Sequence, residues 1–230
     1  MNNWKNSTIL FVLCLAFSST ATIARASAEL IITIKECRVI KGYAYLSELQ
    51  IMKNGEHYKT LKPEHDNKLI LKNLDIGTYS LTYKTIFNKE ETFPVNITQN
   101  KRYYASICTT YLDYSKETYK PIIDILKEGE AYSICLSSQG CFHSSDDTLI
   151  VTRRKNTYSI SWGKNSKTLS KKDMRVIRNF EIELTHMAGD GCTTTDTYVV
   201  EYKGAKQETK DGSCSWRGGY YLKQQIFGEE

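Results

Sequence analysis

Residues 169–191, LSKKDMRVIRNFEIELTHMAGDG, separate a helix-bearing second half from an all-strand first half. Ser170, with Asp173 three residues on, approximates a capping box, the device that satisfies the first free amides of a helix. Met174, Ile177, Phe180, Leu184 and Met187 then recur at intervals of three or four, with Glu181 beside the apolar positions, until Gly189. That spacing predicts a helix with one apolar stripe.

Strands flank this helix. DTLIVTRRKNTYSISWG (147–163) alternates Leu149 and Val151, then Tyr158, Ile160 and Trp162, about a turn at Lys155–Asn156, which predicts a hairpin. Downstream, Tyr198 to Tyr202 leads to a turn at Lys203–Gly204 and a polar return strand ending at Asp211–Gly212. GGYYLKQQIFG (218–228) then closes as a short helix packing Tyr221, Leu222, Ile226 and Phe227. The expected order over residues 131–230 is strand, strand, helix, strand, strand, helix: a small α+β domain with helices on one face of an antiparallel sheet.

Upstream, residues 29–114 carry no helical period. TYSLTYK (78–84) puts Tyr79, Leu81 and Tyr83 on one face, and FPVNI (93–97) does the same with Phe93, Val95 and Ile97. Turn signals fall between such runs at Asn54–Gly55, Asp75–Gly77 and Asn88–Lys89. An antiparallel β-sandwich is expected here, followed by a connector over 115–130 with a short helix after Pro121. The stretch from Asn67 to Thr98 resembles the carboxypeptidase-regulatory-like, or prealbumin-like, sandwich domains through Leu74, Gly77, Tyr79 and Leu81. The Gly-rich first strand of that family is replaced by LIITIKECRVI (30–40). The resemblance implies an accessory or adhesion-type domain without catalysis.

Lys5, the apolar run Ile9–Phe17 and Ala26-x-Ala28 follow the order of a secretory signal over residues 1–28. The run is much shorter than the ~20 residues of a spanning helix, and Leu13 before Cys14 argues against lipid attachment. Removing Lys5 and Arg25 lowers the net charge from +5 to +3, a mild excess that implies neither nucleic acid nor a membrane surface as partner. The signal implies export, and the Lys-, Asn- and Ile-rich composition with so short a signal suggests a bacterial source, so a periplasmic or secreted location is expected.

Apart from Cys14 the cysteines are Cys37, Cys108, Cys135, Cys141, Cys192 and Cys214, an even set suited to disulfides in an oxidising compartment. Several connectivities are open. Position favours Cys37–Cys108 across the first domain, Cys135–Cys141, and Cys192–Cys214 at the ends of the last hairpin. Zinc would need a Cys-x-x-Cys or His-x-x-x-His spacing, and the sequence has neither; no cofactor is expected. Cysteine catalysis needs a free thiol beside a histidine. His57 and His65 lie in polar stretches, while His143 and His186 would have to be brought to a thiol by the fold. There is no Gly-x-Ser-x-Gly elbow, and SSDD (144–147) suggests a hydrogen-bonded turn.

The most uneven charge runs from Arg153 to Arg178. Arg153, Arg154, Lys155, Lys164, Lys167, Lys171, Lys172, Arg175 and Arg178 face a single acid, Asp173. This window is a candidate surface for an anionic partner. The expectation is an exported non-enzymatic protein that binds a protein or an anionic envelope component. The alternative is an envelope hydrolase, marked by a cleft with two carboxylates, or a hydrolase inhibitor, marked by a projecting loop at Cys135–Cys141.

Overall fold

The computed structural model describes residues 27–37, 46–63, 66–187, 192–213 and 215–228. They form a mostly β protein with three sheets and three α-helices. In the first half the strands are β1 (Ala28–Lys35), β2 (Leu49–Lys53), β3 (Glu56–Leu61), β4 (Lys68–Leu74), β5 (Gly77–Lys84), β6 (Glu90–Ile97) and β7 (Arg102–Cys108). One sheet has the order β4-β1-β7 and the other β3-β2-β5-β6.

The inward residues alternate, as the strand period requires. Leu30, Ile32 and Ile34 of β1 meet Leu49 and Ile51 of β2 and Tyr79, Leu81 and Tyr83 of β5 in one buried cluster shared by both sheets. Phe93 departs from the expected face and is 40% exposed, while Val95 and Ile97 are buried. The β2–β3 turn falls at Asn54–Gly55, both left-handed, the geometry of a tight hairpin turn. β1 pairs with β7 in parallel, Leu30 opposite Tyr103 and Lys35 opposite Cys108. Just beyond this ladder Cys37 is bonded to Cys108. Tyr83 fixes the same corner, its hydroxyl donating to the Cys108 carbonyl (3.2 Å) and accepting from the Cys108 amide (3.1 Å).

A 3-10 turn at Tyr114–Lys116 and α1 (Ile122–Ile125) lead to β8 (Ala131–Gln139), β9 (Ser144–Arg154), β10 (Thr157–Trp162), β11 (Asn165–Thr168), α2 (Lys171–Leu184), β12 (Thr195–Tyr202), β13 (Ala205–Asp211) and α3 (Gly218–Phe227). The six strands form one antiparallel sheet, β11-β10-β9-β8-β12-β13. Four strands therefore precede α2, rather than the expected two. β11 was hidden because NSKT carries no apolar alternation. β8 was hidden because LSSQ ends it in polar residues.

α2 starts as its cap predicts: Ser170 Oγ accepts from the Asp173 amide (3.2 Å), and Asp173 accepts from the Ser170 amide (2.9 Å). It ends at Leu184, earlier than Gly189, which lies outside the described residues. Ile177, Phe180 and Leu184 pack on Tyr132, Ile134, Val151, Ile160 and Tyr198 in a second buried cluster. Phe87, from the β5–β6 turn, also belongs to this cluster.

Glu181 lies on the buried side of α2 and is 1% exposed. It accepts from the Tyr132 hydroxyl (2.5 Å) and from the Ile122 amide (2.5 Å), and so caps the short α1. Burial pushes its carboxyl up to about 7, against the pull of these donors. Glu183 accepts from the Tyr114 hydroxyl (2.6 Å) and the Trp216 indole (2.6 Å). Trp216 in turn stacks on Phe180 at 5.4 Å between centroids, a geometry aromatic pairs favour.

Candidate functional site

The inner face of the six-stranded sheet changes character along its length. One row, Ile134, Leu149 and Val200, is apolar and buried beneath α2. The next row is Leu136, Asp147 and Tyr198, and the one after it Ser138, Ser145 and Asp196, with Asp211 opposite Asp196 on β13. A strand places alternate residues on one face, so these polar side chains share the face of the core. They are covered by the start of α3. The result is a cavity of about 500 Å³ lined by Leu136, Ser138, Ser145, Asp147, Asp196 and Asp211 together with His143, Trp162, Cys192, Thr194, Arg217, Gly219, Tyr220 and Lys223.

Within it Ser138 Oγ donates to Asp196 Oδ1 at 2.6 Å and lies 3.2 Å from His143 Nε2. The serine proton is held by the carboxylate, so the imidazole serves as donor to Oγ. A catalytic triad needs the reverse, with the histidine accepting the serine proton and the acid behind the histidine. The arrangement thus fixes the three side chains against one another and does not activate Ser138 as a nucleophile. Asp211 accepts from the Ser213 amide (2.9 Å) and is 6% exposed. Asp196 and Asp211 oppose each other directly across β12 and β13, a like-charge pairing that a sheet ordinarily disfavours.

Close backbone approach shapes both ends of the cavity. A Cβ on Gly219 would stand 2.9 Å from Leu136 Cδ2 and 3.1 Å from the Tyr198 hydroxyl, and the Gly219 amide donates to that hydroxyl at 3.0 Å. At the other end, Gly140 leaves room for the His143 ring, which a Cβ there would meet at 2.5 Å. Arg217, immediately before α3, has φ 50 and places its guanidinium 4.8 Å from the Tyr220 ring centre. Left-handed backbone at a bulky side chain is costly and gathers at functional sites.

Ser144–Asp147, expected as a turn, is the start of β9, which is why Ser145 and Asp147 face inward. The expected Cys135–Cys141 bridge is absent: both are free thiols. Cys135 is mid-strand on β8 and Cys141 lies two residues past its end; with Gln139 already roughly 13 Å along the strand, Gly140 and Cys141 would have to fold straight back to bring the sulfurs within reach. Cys192 is disulfide-bonded; Cys214 lies outside the described residues, as do Cys14, His65 and residues 1–26. The cleavage point expected after Ala28 falls at the first residue of β1. In the turn after β8, Phe142 is fully exposed.

The bases of the charged window are spread over the fold. Arg153–Lys155 and Lys164 lie at opposite ends of β10, roughly 20 Å apart. Arg153 donates to the Leu126 carbonyl (2.6 Å), Lys167 to that of Ile226 (2.6 Å) and to Asp173 (3.2 Å), and Arg178 pairs with Asp124. Arg154, Lys155, Lys164 and Lys171 are exposed. Lys172 and Arg175 line a second cavity, of about 450 Å³, between α2, α3 and the Cys37–Cys108 bond. His186 meets Glu117 at 2.7 Å, and His57 meets Thr60 at 2.9 Å.

Among the described residues no cluster of acids, histidines and cysteines could hold a metal ion, and no helix is long and apolar enough to cross a membrane. Neither a protein-family model nor a curated protein matches this sequence.

Proposed function

We propose that the chain is an exported, non-enzymatic binding protein whose ligand site is the polar cavity between α3 and the six-stranded sheet. The observation that carries this reading is the change of the inner sheet face from apolar to polar beneath a covering helix. Polar side chains under a helix contribute little to a core, yet they are well placed to orient a ligand in a concave site. The Cys37–Cys108 and Cys192 disulfides suit an oxidising compartment outside the cytoplasm. The two N-terminal sheets around one core act as a β-sandwich of accessory type, tied to the binding unit by Phe87. The exposed bases Arg154, Lys155 and Lys171 are left for contact with an anionic envelope partner.

A low-molecular-weight fraction of envelope extract tests the cavity. It is expected to raise the melting temperature of the wild type and not that of Asp147→Ala; equal shifts in both would remove the cavity from consideration. A second reading, a hydrolase, draws support from the opposed carboxylates Asp196 and Asp211 in a cleft. Release of new reducing ends or free carboxyl groups from envelope polymers, lost in Asp196→Asn, would establish it.

A further inference from the structure

We propose that the ligand of this cavity is a neutral, hydroxyl-rich molecule, a saccharide, held by Trp162, Asp147 and Tyr220. The inference rests on the reading of the cavity as the ligand site and adds the ligand's chemical class.

Three observations select it. Trp162 lines the cavity, is 5% exposed, and its indole Nε1–H has no hydrogen-bond acceptor in the fold. Buried donors are normally satisfied; this one is closed to solvent behind the cavity wall, and a shift of the ring toward the cavity brings it to a ligand oxygen. Asp147 lines the same cavity, half-buried, from the neighbouring strand. Its carboxylate can only accept, so it calls for a ligand hydroxyl. A single group that both donates and accepts, repeated along a small molecule, is the alcohol of a sugar ring.

The mixed charge of the lining selects against a small ion of either sign. Asp147, Asp196 and Asp211 oppose an anion, while Arg217 and Lys223 oppose a cation. The Tyr220 ring, 42% exposed at the cavity's edge, supplies the flat apolar surface on which the C–H face of a sugar packs. Arg217 holds that ring from one side.

The test uses the full exported protein and five probes: maltotetraose, cellotetraose, the tetramer of N-acetylglucosamine, trigalacturonate and spermidine. Affinity is read by calorimetry, and the Trp162 indole by its 15N–1H resonance, assigned with Trp162→Phe. The expected result is saturable binding of a neutral tetrasaccharide that moves the Trp162 indole resonance and weakens by about tenfold or more in both Asp147→Ala and Tyr220→Ala. Unchanged melting temperatures of those variants show that the fold is intact. Binding of trigalacturonate or spermidine alone, lost in the same variants, overturns the saccharide and leaves the cavity as the site. Binding of no probe, or binding that neither variant weakens, also overturns the saccharide; equal thermal shifts of wild type and Asp147→Ala with envelope extract would then remove the cavity as well.

Discussion

Replacing Glu181 with Gln should change how stability depends on pH, and the size of the change follows from the site. Glu181 is buried between α2, α1 and β8, facing Tyr132, Tyr119, Asp124 and Arg178. Its folded pKa is about 7, against 4.5 for the free side chain. The folded protein therefore holds the proton more tightly than the unfolded chain. The stabilisation linked to that proton is full below pH 4.5 and is lost as pH rises through 7, opposite to a salt-bridged carboxylate. At 1.36 kcal/mol per pH unit the total is about 3 kcal/mol, of which about 2.5 kcal/mol is lost between pH 5 and 8. Gln keeps a carbonyl oxygen for the Ile122 amide and turns its NH2 to the Tyr132 hydroxyl, which can accept as well as donate, but it has no proton to lose. Urea unfolding followed by tryptophan fluorescence, at intervals from pH 5 to 8, measures both proteins. All other titrating groups cancel in the difference. That difference should move by about 2.5 kcal/mol in favour of the variant as pH rises. A difference constant to within 0.5 kcal/mol would refute the raised carboxyl and the tight seat assigned to it.

Gly219→Ala should destabilise by about 1–3 kcal/mol, since its Cβ would press on Leu136 and the Tyr198 hydroxyl; the urea midpoint reads it, and a neutral effect would mean that α3 sits further from the sheet. Alkylation without reduction should label Cys141 rapidly and Cys135 slowly, leaving Cys37, Cys108 and Cys192 unmodified; peptide mass mapping checks this, and a protected Cys141 would contradict its exposed turn. Replacing Cys37 and Cys108 together with Ala should cost about 4 kcal/mol, the chain-entropy value for a separation of 71 residues; a loss under 1 kcal/mol would mean that the Tyr83 bonds to Cys108 hold this corner unaided.

The elements legible in the sequence were those whose signal is local. Ser170 and Asp173 announce α2 because a cap is built from residues three apart, and Asn54–Gly55 and Lys203–Gly204 announce hairpins because only certain residues tolerate left-handed backbone. The cavity depended on which strands lie side by side. Ser138, Asp147 and Asp196 are scattered over 59 positions and become neighbours only because β8 pairs with both β9 and β12. Their one sequence signal was parity. Asp147 is two residues before Leu149, and Asp196 two before Tyr198, each in phase with a core residue. That signal was obscured in SSDD, where consecutive small polar residues suggest a turn. The charge window shows a related limit: spacing along β10 carries its bases to opposite ends of a strand, and composition contains no directions.

The parallel ladder of β1 and β7 carries a consequence for how the protein comes into being. Its two strands are separated by 66 residues that must be made first, from Lys35 to Arg102. A chain emerging from its N-terminus therefore presents Leu30, Ile31, Ile32 and Ile34 with no partner on that side until β7 follows, and long-range pairing of this kind is slow. For that interval β1 is a sticky edge of the sort that recruits other chains. Cys108 is the last residue of β7, so closing Cys37 onto it cannot precede that strand's arrival, and the bond then latches β1 to the partner that covers its open edge.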